Sequence, residues 1–159
     1  MVAVVPFDWQ VHDTHFVVAH LHYVLVGGFV FPMLAAVYYW LPHVTGRTTS
    51  FGLGKAAFWL IFTGFNLTFF LMHLTGLRGM PRRVDTYPDV VGWTALNLLS
   101  SIGGFIMTMG FALFLVDVVT QVGFGRRTRR NPWRATTLEW ATPVPPPSYA
   151  FASLPHVDS

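Results

Sequence analysis

An all-α membrane protein with three transmembrane helices is the fold class the sequence predicts. Three observations lead there. The 159 residues are 53% hydrophobic and only 11% charged, where a soluble domain carries about 25% charged residues. Mean hydropathy is +0.49. Three apolar segments each reach the roughly 20 residues that a bilayer crossing needs, and arginines crowd just after the last of them.

The first span is expected from about Phe16 to Leu41. Val, Leu, Phe, Ala and Tyr make its bulk, with Gly27-Gly28 and Pro32 inside. Gly and Pro are tolerated in membrane helices, and the glycine pair permits close approach of a neighbour or cofactor. Tyr38, Tyr39 and Trp40 form an aromatic belt at its end. A polar connection from Pro42 to Gly54 leads to the second span, about Lys55 to Leu74. The loop TGLRGMPRRVDTYPDV then precedes the third span, about Val91 to Val119. Ser100, Ser101, Gly103 and Gly104 in that span suit tight helix packing. Residues 1–125 thus form the transmembrane segment and 126–159 an Arg/Pro-rich tail, extended rather than helical because of Pro145 to Pro147.

Charge orients the spans. Arg126, Arg127, Arg129, Arg130 and Arg134 follow the third span, so the tail is expected in the cytoplasm. The same clustering explains the sequence pI of about 9.7 without invoking nucleic acid. Three crossings then put the N-terminus and the 75–90 loop outside, and the 42–54 loop inside. One conflict follows. The outer loop carries Arg78, Arg82 and Arg83, more positive charge than Arg47 and Lys55 supply on the inner side. A buried anion at the outer face explains them, since arginine holds carboxylates bidentately. Haem propionates are such anions.

The stretch HDTHFVVAHLHYVL concentrates the chemistry. Ionisable groups in a membrane span usually mark function. His20 and His22 are two residues apart, so on a helix they lie about 200° apart and cannot share one metal ion. Two readings fit: each imidazole is hydrogen-bonded within a helical bundle, or each is an axial ligand of a different haem iron. Haem ligation is favoured over zinc, because the spacing does not gather ligands on one face. His12 and Asp13 stand before the span. An imidazole and a carboxylate suit magnesium or manganese completed by other groups, but Asp13 with Thr14 reads equally as a helix cap.

Other polar residues read more simply. His73 is expected to pack or hydrogen-bond, Asn66 and Thr68 to join helices, and Asp117 to be an interfacial carboxylate near a helix end rather than a proton-path residue. His43 and His156 fall in loops. The chain has no cysteine, which excludes disulfides, thiolate metal sites and iron–sulfur clusters within it. It shows no Ser/His/Asp triad, P-loop or dinucleotide fingerprint. MVAVVPFDWQ lacks the basic region and cleavage site of a removable signal peptide.

HDTHFVVAHLHYVL resembles the haem-ligand signature of subunit I of the haem–copper terminal oxidases, the cytochrome c and quinol oxidases. GFNLTFF…MHLTGLRGMPRR…YPD resembles the family's next helix and outer loop, and NPW…TTLEWATPVPPP the tail of bacterial members. The resemblance covers nearly the whole chain in the right order. It implies the last three of about twelve membrane helices of that fold. It implies that His20 is the proximal ligand of the high-spin haem and His22 one axial ligand of the low-spin haem. It likewise assigns His12 and Asp13 to magnesium or manganese, and Arg82 and Arg83 to the haem propionates.

Two positions depart from the family: His15 stands where tyrosine is usual, and Leu71 where proline is usual. The family's copper ligands, its second low-spin haem ligand and its proton-channel entrances lie in earlier helices, so the chain alone is expected to be inactive. The resemblance implies an intact enzyme that reduces dioxygen to water and pumps protons, expected in the bacterial plasma membrane. Its implied partners are the N-terminal helices of subunit I, subunits II and III, and cytochrome c or quinol as donor. Met1 leads straight into sequence like the family's interior, which reads as a fragment, with a split subunit as a rival. A non-enzymatic dihaem electron-transfer or anchor protein is the alternative outside the enzyme class.

Overall fold

A computed structural model describes residues 2–48, 51–88, 92–128, 131–149 and 151. Val91, Arg129, Arg130 and His156 lie outside the described residues. Helix α1 covers Val5–Val11, α2 His15–His22, α3 Phe31–Thr45, α4 Gly52–Leu77 and α5 Thr94–Phe124. A π-helical stretch, Tyr23–Val30, joins α2 to α3 without a break. The three spans are therefore His15–Thr45, Gly52–Leu77 and Thr94–Phe124. Each is longer than the apolar run alone suggests, because helices extend past the hydrocarbon boundary. At 1.5 Å per residue the second span is about 39 Å long, against a hydrocarbon core of about 30 Å.

The spine of the fold is the α4–α5 pair. Gly64, Gly103 and Gly110 let the two backbones touch. A Cβ placed on Gly103 would lie 2.6 Å from the backbone nitrogen of Thr68, and one on Gly110 2.7 Å from Ile61. Across this contact the Ser100 hydroxyl donates to the Thr68 carbonyl at 2.9 Å, and the Thr68 hydroxyl lies 3.2 Å from the Ser100 carbonyl. This is small-residue packing with polar glue, the mode membrane helices use when no hydrophobic force drives association. Gly104, by contrast, faces away from close contact, with Thr68 Oγ1 4.0 Å from its hypothetical Cβ.

The first span lies against α4. Phe16, Ala19 and Tyr23 form the seam, at helical spacing of three and four. Gly76 is where Phe16 seats, since any Cβ there would collide with the Phe16 backbone. The Tyr23 hydroxyl donates to Asn66 Oδ1 at 2.9 Å. Leu34, Ala57, Ile61 and Phe114 make a cluster that joins all three spans. The opposite face of the first span is bare: Leu21, Val24 and Phe29 are 58%, 61% and 61% exposed.

Both ends of the bundle are tied. At one end Thr14 bridges to Pro81, the His15 amide donates to the Met80 carbonyl at 3.0 Å, and the Arg82 amide donates to the Asp13 carbonyl at 2.9 Å. At the other, two short antiparallel strands, β1 (Arg47–Thr48) and β2 (Arg126–Arg127), pair Arg47 with Arg127. Gly46 ends α3 at φ 64°, where its amide reaches the Pro42 carbonyl. That left-handed turn suits glycine.

The tail does not simply trail away, as its prolines suggested. It turns back onto the end of α3. Trp133 stacks on Tyr39 and donates its indole N–H to the Tyr39 carbonyl at 3.0 Å. Trp140, within a short 3-10 turn (Leu138–Trp140), is 4% exposed and meets Tyr39 and His43 edge-on. His43 Nε2 donates to the Glu139 carbonyl at 2.8 Å. The physical reason is that the aromatic belt is a docking platform as well as a membrane anchor.

Candidate functional site

Thr14 starts the ligand-bearing helix. Its side chain accepts from the Phe16 amide at 3.2 Å, so Thr14 is the cap that Asp13 was expected to share. Asp13 instead sits at φ 58° and forms an ion pair with Arg82. From this cap, α2 runs as regular α-helix through His22. The α-helical register therefore holds over both histidines. They flank the α4-facing seam on opposite edges, as their spacing requires.

The two rings have different supports. His22 stacks on Phe69, with ring centroids 4.2 Å apart and planes 13° from parallel. Its Nδ1 is 2.8 Å from the Val18 carbonyl of the preceding turn. That bond places the proton on Nδ1 and leaves Nε2 as the free lone pair. Ligating histidines are oriented in this way by a second hydrogen bond. His20 is half-buried and makes no hydrogen bond among the described residues. Its ring nitrogens are thus not engaged in hydrogen bonds among the described residues. The donor chemistry fits an axial haem ligand at both positions.

His73 behaves as a packing histidine. Its Nδ1 donates to the Phe69 carbonyl at 3.0 Å, and Phe16 meets its ring edge-on at 4.8 Å. His15 carries an Nδ1 that is buried without a hydrogen-bond partner. His12 is exposed, with Nδ1 3.0 Å from the Trp9 carbonyl. Arg83 is exposed, at φ 65°, and makes no hydrogen bond or ion pair among the described residues. The structure thus gathers His12, Asp13, Arg82 and Arg83 at one end of the bundle, beside the start of the histidine helix. Among the described residues no group of three or more His, Asp or Glu stands ready to hold a metal. A cation at His12 and Asp13 would need further ligands from beyond this chain.

Two features escaped the sequence reading. The π-helical stretch begins at Tyr23, immediately after His22. Its cause was visible in Pro32, which has no N–H for the bond back to Gly28. The ladder upstream loosens, and the Phe31 amide reaches Val26, five residues back. The second is Asp117. It is not at a helix end, because α5 continues to Phe124. It is 1% exposed and accepts from the Tyr38 hydroxyl at 2.9 Å. The expectation of an interfacial carboxylate is corrected: Asp117 faces the other spans. A cavity of about 480 Å³ opens beside Tyr38, lined by Gly27, Phe31, Leu34, Ile61 and Phe114 among others. Gly27 and Gly28 have open space where a Cβ would be.

Residues 1–106 match the family described as "Cytochrome C and Quinol oxidase polypeptide I". The chain belongs to that family. It is 49% identical over 160 residues to cytochrome c oxidase subunit 1 of Alkalihalophilus pseudofirmus, covering all of this chain and 26% of that protein. It is 46% identical over 158 residues to the Bacillus subtilis subunit, covering 99% of this chain and 25% of the relative. The Synechocystis subunit is 49% identical over 146 residues, covering 92% of this chain and 26% of the relative. The chain therefore spans about a quarter of the length of these polypeptide I relatives. It is a helical membrane segment of an oxidase polypeptide I.

Proposed function

We propose that this chain supplies the histidine helix of a respiratory terminal oxidase subunit that reduces dioxygen to water and pumps protons. One observation carries the reading. His20 and His22 stand on opposite edges of one helix, and the His22 ring is fixed with Nε2 free. In this reading His20 would hold the iron of the high-spin haem and His22 that of the low-spin haem. When bound, the two haems supply electron transfer and an iron at which oxygen is reduced.

The chain's own residues orient that chemistry. The Val18 carbonyl and the Phe69 ring hold the His22 imidazole in one rotamer and one tautomer. A hydrogen-bonded Nδ1 makes Nε2 a stronger donor to a metal. The α2–α4 seam fixes both ligand positions on a single rigid element, so the two centres keep one short separation. Arg82 and Arg83 place positive charge at the same end of the bundle for the propionates, with Asp13 partly neutralising Arg82. His12 and Asp13 contribute to a magnesium or manganese site completed by other chains.

Copper ligation, the second low-spin ligand and proton entry fall to residues outside this chain. The working partners are the remaining helices of subunit I, subunits II and III, and cytochrome c or quinol as donor. The His12 and Arg82 end faces outward and the tail faces the cytoplasm of a bacterial plasma membrane. Co-purification of the chain with its membrane partners, with haem and copper quantified, tests the assignment. Two haems with copper are expected. Haem without copper would favour the dihaem electron-transfer alternative, and no haem would refute the ligand roles.

A further inference from the structure

The end of the bundle opposite the histidines holds a cationic pocket that the haem reading leaves unexplained. β1 and β2 pair Arg47 directly with Arg127. Like charges placed opposite each other across an antiparallel pair are destabilising. Among the described residues no acid pairs with either of them, and the ion pair there is that of Arg82 with Asp13, at the far end. Arg126 and Arg127 are both exposed. The pairing is nevertheless built in, since the Thr128 amide donates to the Gly46 carbonyl at 2.8 Å. Arg47 is further fixed where its Nη1 donates to the carbonyls of Val122, at 3.1 Å, and Gly123. Those carbonyls belong to the last turn of α5, which favours a cation.

Between the two arginines lies a cavity of about 360 Å³. Thr45, Arg47, Arg127 and Thr128 line one side, and Val144 and Pro145 of the returning tail close the other. The Arg47 guanidinium, held in place, and the exposed Arg127 beside it suit a phosphate, which arginine recognises through paired N–H donors. Position chooses between sources of phosphate. The pocket sits where two membrane spans end, at Thr45 and Phe124, which is headgroup depth. Basic pockets between helix ends are known to hold anionic headgroups. The apolar wall suits the glycerol and upper chain of a lipid better than a free ion.

We propose that the Arg47–Arg127 pocket binds the phosphate of an anionic phospholipid and thereby joins the ends of the first and third spans. The inference requires only that the chain spans a membrane, and stands apart from the haem assignment.

The test measures association of spin-labelled phosphatidylglycerol, relative to phosphatidylcholine, with the chain and its membrane partners in nanodiscs. Arg127→Gln is expected to lower the relative affinity about fivefold, the equivalent of about 1 kcal/mol for one arginine near an anionic surface. Arg127→Lys should keep most of it. Arg134→Gln removes the same charge outside the pocket and should leave it unchanged. Equal losses in Arg127→Gln and Arg134→Gln would overturn the site, as would no preference for phosphatidylglycerol in the unaltered protein. Displacement of the labelled lipid by millimolar inorganic phosphate would overturn the lipid assignment in favour of a free anion.

Discussion

Gly103→Ala and Gly104→Ala are chemically the same change one residue apart, and the structure separates them sharply. At Gly103 the added methyl would stand 2.6 Å from the Thr68 nitrogen, where ordinary contact begins at 3.4 Å. The neighbour is backbone on a packed helix, so α4 and α5 must part by about 0.8 Å. That displacement stretches the 2.9 Å bond from Ser100 Oγ to the Thr68 carbonyl beyond hydrogen-bond range. Overpacking costs about 1–3 kcal/mol, and an interhelical hydrogen bond in a membrane is worth roughly 0.6–2 kcal/mol. Gly103→Ala should therefore destabilise the bundle by about 2–4 kcal/mol. At Gly104 the nearest atom is 4.0 Å away. Gly104→Ala should be neutral or slightly stabilising, because alanine is the better helix former. Denaturant titration in detergent, followed by circular dichroism, reads both. Equal effects from the two variants would refute the packing argument for the α4–α5 seam.

Two further outcomes follow from the buried polar and aromatic contacts. Tyr38→Phe removes the donor to Asp117, a carboxylate that is 1% exposed. It should cost about 1–3 kcal/mol, the usual penalty for leaving a buried acceptor short of a bond, and the same titration measures it. Trp140→Ala should release the tail from Tyr39 and His43 while leaving the spans folded. Limited proteolysis should then cut after the third span several times faster, with helical content unchanged; an unchanged cleavage rate would mean the tail is not held by Trp140.

Much of this fold is legible in the residues, for reasons that differ by element. The three spans declare themselves because a bilayer demands about 20 apolar residues in a row. Their ends do not, since helices continue past the apolar run: α5 reaches Phe124, so Asp117 lies within the helix and not at its end. His20 and His22 are legible as a pair because helical geometry alone sets them on opposite sides. The ring supports are not, because Phe69 lies far along the chain on another helix. The salt link of Asp13 to Arg82 was hidden for the same reason. The sequence assigned those two residues to different tasks, and the bridge between Thr14 and Pro81 brings them together across the fold. The π-helical stretch had a cause in Pro32, but proline does not say how far upstream the ladder will loosen. The tail's return depends on aromatic partners with no periodicity to betray them.

Two histidines serving two separate centres are the core of the proposed function. The direct measurement is a haem spectrum, optical and electron paramagnetic resonance, of the chain purified with its membrane partners, unaltered and as His20→Ala and His22→Ala. We expect His22→Ala to remove the low-spin signal and spare the high-spin one, and His20→Ala to do the reverse. Loss of the same single signal in both variants, or no change in either, would contradict it.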